Sequence, residues 1–142
     1  MSLLRRLARL DRQKRWLLAE AAVIVPIVRI ALTVLPFRIV HRGIAAVTRR
    51  GSSRTPSRAP ALIAWAVTAV AARVPAASCL TQALAATLLL ARHGHVSTLR
   101  LGVAKNDDGT LRAHAWLDCG GRTILGEPAH GAFTPFPPVA LP

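Results

Sequence analysis

The spacing of apolar positions changes once along the chain. Up to residue 94 they recur every three to four residues, the period of helices packed by one face; from Ser97 onward they alternate, the period of strands. Leu3, Leu7, Leu10, Leu17 and Leu18 fall on one side of residues 3–20 and Arg5, Arg9, Arg12 and Lys14 on the other, so a first amphipathic helix is expected there with Ser2 as its cap. Pro26 and Pro36 interrupt the next apolar run, "AAVIVPIVRIALTVLPF", which predicts separate helices over 22–34 and 37–48. A further apolar helix is expected over 61–73, ended by "VPAAS". In "SCLTQALAATLLLARHG", residues 78–94, Ser78 caps a fresh helix with Leu80, Leu84, Leu88 and Ala91 on one stripe, and Gly94 supplies the left-handed stop.

After that stop, "STLRLGVAK", "TLRAHAWLD" and "RTILGE" are separated by turns at "NDDG" (106–109) and Gly120-Gly121. They read as a three-stranded antiparallel meander. Helices followed by a sheet make an α+β fold. Between them, "TRRGSSRTPSRAP" at 48–60 lacks any apolar period and reads as an exposed linker, the likeliest place for an added protease to cut. It divides a helical N-terminal region, 1–55, from a core over 56–142. The proline-rich tail "GAFTPFPPVALP" is expected to run extended, with Phe133 and Phe136 candidates for docking on the body.

Composition changes this picture in two places. The net charge of +13 is uneven, because residues 1–60 hold 13 of the 19 Lys and Arg but two of the six Asp and Glu. A basic field of that kind draws nucleic acid, anionic membranes and acidic proteins alike, and a merely solvated arginine face is an equal alternative. The run at 21–37 approaches a membrane span, yet Arg29 sits at its centre, where insertion costs about 2.5–3.5 kcal/mol, so a helix buried against protein or lying on a membrane surface fits better. Two cysteines make no disulfide framework and no cleavable signal is visible, so a reducing cytoplasm is the expected compartment.

The candidate chemistry begins with Cys79. In the first turn of a helix a cysteine meets unpaired backbone N–H groups and the positive end of the helix dipole, both of which favour thiolate over thiol. Alone this is a weak signal, since most free cysteines are inert core residues. His114, within "AHAW", is the second element; packing of the sheet on the helix is expected to bring its imidazole to the sulfur as general base. Asp118 is four residues along the same strand, roughly 13 Å away, too far to orient the ring. A two-residue turn at Gly120-Gly121 pairs 119 with 122, 118 with 123, and so on to 114 with 127. On that register Glu127 faces His114 and Asp118 remains the alternative acid. Trp116 shares the His114 face. The Cys79 N–H is a natural oxyanion donor, with the Gln82 side chain a weaker one. Cys119 is expected exposed at the hairpin turn, with ordinary thiol behaviour and with a Cys79–Cys119 disulfide as a minor alternative. "HGH" at 93–95 and His130 read as surface histidines without zinc-ligand spacing, so neither metal nor cofactor is called for.

The order Cys79, His114, then an acid on the next strand, with helix before sheet, resembles the transglutaminase and papain-like superfamily. Within it, "LPFR" (35–38), the helix at 78–94, "LRLGVAK", "AHAWLDCGGRTILGE" and "FTPF" (133–136) resemble the lasso peptide biosynthesis B2 proteins. That resemblance implies a transglutaminase-like core with a helical N-terminal extension. It also implies a cytoplasmic cysteine peptidase that removes the leader from a precursor peptide, with Cys79 as nucleophile and His114 as base. The family's third member is usually an aspartate; here "LGEP" offers Glu127. The implied partners are the precursor, a separate recognition-element protein (B1) and a cyclase resembling asparagine synthetase, with association at a membrane surface open and nucleic acid not implied. The alternatives are an acyltransferase using the same residues and a basic, non-catalytic scaffold at the membrane.

Overall fold

The computed structural model describes residues 8–51, 53–127 and 133–136. The helices are α1 (Arg12–Val34), α2 (Phe37–Gly51), α3 (Pro60–Ala71) and α4 (Cys79–Arg92). The strands are β1 (Ser97–Lys105), β2 (Leu111–Cys119), β3 (Arg122–Leu125) and β4 (Thr134–Pro135). They form one antiparallel sheet in the order β3-β2-β1-β4. The α+β expectation therefore holds, and the tail adds a short fourth strand at the β1 edge.

The first correction concerns α1. The sequence predicts separate helices over 3–20 and 22–34, with a break near residue 21, but Arg12–Val34 is one helix with Pro26 inside it. Leu17, Ala21, Val25 and Val28 form an unbroken buried stripe on both sides of the proline. Burying that stripe outweighs the roughly 3 kcal/mol cost of an interior proline. The expected cap at Ser2 lies outside the described residues.

At the centre stands α4, buried almost all round. Leu84, Leu89 and Leu90 are in the core together with Ala83, Ala85 and Ala86. It therefore has no single apolar stripe, because α1, α2, α3 and the sheet surround it. Its two buried threonines are satisfied locally, Thr87 Oγ1 donating to the Ala83 carbonyl at 2.8 Å and Thr81 Oγ1 lying 3.2 Å from Ser78 Oγ.

One apolar core runs from Leu17, through Ile44, Ile63 and Leu84, to Leu99, Leu117 and Leu125. It crosses the boundary expected near residue 55. The loop at 53–59 is fastened to the end of α4: Ser57 N–H donates to the His93 carbonyl at 3.1 Å, and His95 Nε2–H donates to the Arg58 carbonyl. Gly94, at φ +80°, lies so close that a Cβ would stand 2.5 Å from the Arg54 carbonyl oxygen. The histidines of "HGH" are thus not surface groups. His93 is buried, with Nε2 2.8 Å from Glu20 Oε2 and Nδ1 2.9 Å from Ser57 Oγ, while Arg92 Nε donates to Glu20 Oε1 at 2.8 Å. His130 lies outside the described residues.

Candidate active site

The start of α4 is built as its sequence predicts. Ser78 is the N-cap, its Oγ accepting from Thr81 N–H at 3.2 Å, and Gln82 N–H donates to the Ser78 carbonyl at 3.0 Å. The N–H groups of Cys79 and Leu80 precede these and are not taken up by any carbonyl among the described residues. Cys79 is a half-buried free thiol, packed against the edge of the core and without a hydrogen bond among the described residues. Gln82 is half-buried in the same turn.

β2 pairs with β1 in continuous register, Cys119 opposite Ser97 through Leu111 opposite Lys105. Strand alternation turns Ala115 and Leu117 into the core with α4, and His114, Trp116 and Asp118 to the other face. Packing of the sheet on the helix therefore does not by itself deliver the imidazole to the sulfur, as was expected, because the β2 residues in the core are its apolar ones. Trp116 does share the His114 face, their rings stacking at 6.1 Å between centroids. Phe133 closes on the ring from the segment before β4 at 5.1 Å, with Arg112 over the phenylalanine. Of the two tail phenylalanines, then, Phe133 docks while Phe136 stays half exposed. Gly102, opposite His114, makes room for this packing: a Cβ there would stand 2.9 Å from the Trp116 ring.

The register between β2 and β3 follows expectation for two pairs, Cys119 with Arg122 and Asp118 with Thr123, and then slips, so that Leu117 faces Leu125. The extra residue, Ile124, is a bulge that lets both Ile124 and Leu125 reach the apolar core. The expected pairing of 114 with 127 is lost through that slip. What reaches His114 instead is a backbone group, the Gly126 carbonyl, 2.6 Å from Nε2. Gly126 is at φ +72°, and a Cβ on it would lie 2.8 Å from the Ala115 carbonyl oxygen, so only glycine fits this approach. Glu127 follows immediately and is exposed, with no hydrogen bond to His114.

A carbonyl only accepts, so Nε2 of a neutral His114 carries the proton and Nδ1 carries the lone pair. Nδ1 has no hydrogen-bond partner among the described residues and is not sealed from solvent. Asp118 is engaged elsewhere, accepting from Arg100 Nε at 3.1 Å and Thr123 Oγ1 at 2.7 Å, which ties β1, β2 and β3 together. Cys119 is half-buried and packs against the core; burial pushes its thiol above the ordinary value, in place of the exposed, ordinary thiol expected. Sequence reasoning missed the Gly126 carbonyl and the contact of Phe133 with His114. The first had one signal, a glycine directly after the apolar Ile124 and Leu125 of β3.

The sequence model of the transglutaminase-like superfamily matches residues 21–137, so the chain belongs to that superfamily. Its members are typically cysteine-based enzymes of papain-like fold. No curated protein and no solved structure matches the chain.

Proposed function

We propose that the protein is a cysteine peptidase that removes the leader from a lasso peptide precursor before macrolactam closure. It would act with a separate recognition-element protein and an asparagine-synthetase-like cyclase. Superfamily membership supports the thiol chemistry, and the motifs from "LPFR" to "FTPF" support the finer reading. The observation that carries it is the division of labour on His114: one ring nitrogen is held by a carbonyl, and the other, without a partner among the described residues, is open to act as a base.

In this reading the Cys79 thiolate attacks the scissile carbonyl, its proton passing to His114 Nδ1 once substrate binding brings together the thiol at the start of α4 and the ring on the other face of the sheet. The N–H groups of Cys79 and Leu80, at the positive end of α4, receive the developing oxyanion. The imidazolium then gives its proton to the leaving amine, and water releases the acyl-enzyme. The Gly126 carbonyl holds the tautomer throughout. Glu127, the acid at the position the resemblance indicates, supports the imidazolium by its charge from outside that hydrogen bond.

The test is cleavage of a synthetic precursor in the presence of a recognition-element protein, followed by mass spectrometry. Wild type is expected to release the leader, and Cys79→Ala to bind the precursor without cutting it. Intact precursor with wild type would overturn the reading. Quantitative capture of an added amine, with little hydrolysis, would replace peptidase by acyltransferase.

A further inference from the structure

The outward face of α1 is apolar and has nothing packed on it among the described residues. Trp16, Val23, Ile27, Ile30 and Val34 recur at helical spacing opposite the buried stripe, and each is between 58% and 72% exposed. From Trp16 to Val34 this is a ridge about 27 Å long on the 23-residue helix. Exposed Phe37 and Ile39 carry it onto the start of α2.

Its charges are arranged along it. Arg12 and Arg15 accompany Trp16 at one end, and Arg38 and Arg42 accompany Phe37 at the other, all of them exposed. Between them the ridge is aliphatic, since Arg29 lies off this face and donates to Thr33. The described part of residues 8–60 has two carboxylates, Asp11 and Glu20, and Glu20 is taken up by Arg92 and His93. An aliphatic middle with aromatic and arginine ends is the profile of a helix lying in a membrane interface, where acyl chains take the ridge and anionic headgroups the guanidinium groups. Spanning is ruled out while the fold is intact, because the opposite face of α1 is part of the core. A second copy of the chain would set these arginines against their own kind.

We propose that α1 and the start of α2 are a membrane-docking surface, by which the folded protein lies flat on an anionic bilayer. This stands independently of the chemistry at Cys79.

Flotation of the full chain with vesicles of equal parts phosphatidylglycerol and phosphatidylcholine tests it. Wild type is expected to float with these vesicles, less so in high salt, and much less with phosphatidylcholine alone. The double variant Ile27→Glu/Ile30→Glu changes two exposed positions, so its circular dichroism should match wild type. It is expected to lose about a hundredfold or more in partitioning, because two aliphatic side chains are withdrawn and two carboxylates are placed against anionic headgroups. Absence of flotation, or flotation that the double variant leaves unchanged, overturns the proposal. So does a wild-type dimer that forms without vesicles and becomes monomeric in the double variant, which would make the ridge an interface between copies.

Discussion

His93 is buried and His114 half-buried in one chain, and the two imidazoles are wired in opposite ways. His93 has both ring nitrogens occupied, by Glu20 and Ser57, and sits where α1, the 53–59 loop and the end of α4 meet. His114 has one nitrogen on the Gly126 carbonyl and the other without a protein partner among the described residues, within a surround of Trp116 and Phe133. Burial alone does not separate a fastening from a base. What separates them is whether a nitrogen remains available once the hydrogen bonds are assigned.

The sharpest way to break this contrast is to remove each ring. His114→Ala is expected to lower leader cleavage by about 10³–10⁴-fold, the scale of losing a general base, with little change in the denaturation midpoint. His93→Ala should do the reverse, costing about 2–4 kcal/mol in unfolding free energy because it leaves the shielded Glu20 carboxylate short of a partner. Cleavage by the still folded fraction should persist. If both variants proved to be stability mutants alone, the assignment of His114 as base would fail.

A second pair of variants asks what orients His114. Gly126→Ala puts a Cβ against the Ala115 carbonyl at a positive φ and should displace the carbonyl from Nε2. An activity loss of about 10²-fold and an altered pH–rate profile are expected. Glu127→Gln removes a carboxylate that makes no hydrogen bond to the ring, and should cost about tenfold or less. A loss near 10⁴-fold for Glu127→Gln would mean that its carboxylate replaces the carbonyl in the working complex.

The His93 cluster also predicts an acid response. Burial by itself would raise the Glu20 carboxyl, but hydrogen bonds from His93 and Arg92, and their charges, outweigh it and hold the group below its ordinary value. A carboxylate depressed in the folded state contributes stability above the ordinary carboxylate range and loses it as pH falls through the folded value. Wild type should therefore lose unfolding free energy in that acid window, and Glu20→Gln should be less stable at neutral pH but flatter through it. An equal acid slope in both proteins would assign the sensitivity to other groups.

The smallest expected effect concerns the two thiols. With its thiol raised by burial, Cys119 should be alkylated slowly by iodoacetamide at neutral pH and more readily as pH rises, while Cys79 is modified first. Cys119 reacting ahead of Cys79 in native protein would place the accessible thiol at the wrong end of the comparison.

What the sequence determined by itself is local. Ser78 capping α4, Gly94 ending it, and the alternation that sets His114 beside Trp116 follow from backbone donors, a tolerated positive φ and the pleat of a strand. Each needs only a few neighbouring residues. The choices left to tertiary structure are those in which a local preference was overruled or a distant group intervened. Pro26 lies within a helix because residues 17 to 28 bury one stripe across it. The β3 register slips at Ile124 because the core takes both Ile124 and Leu125. That one-residue slip moves Glu127 out of the pairing with His114 and sets the Gly126 carbonyl on the ring in its place. Side chains can be counted along a sequence, whereas a backbone carbonyl belongs to every residue alike, and only the packing of the sheet decides which one meets the histidine.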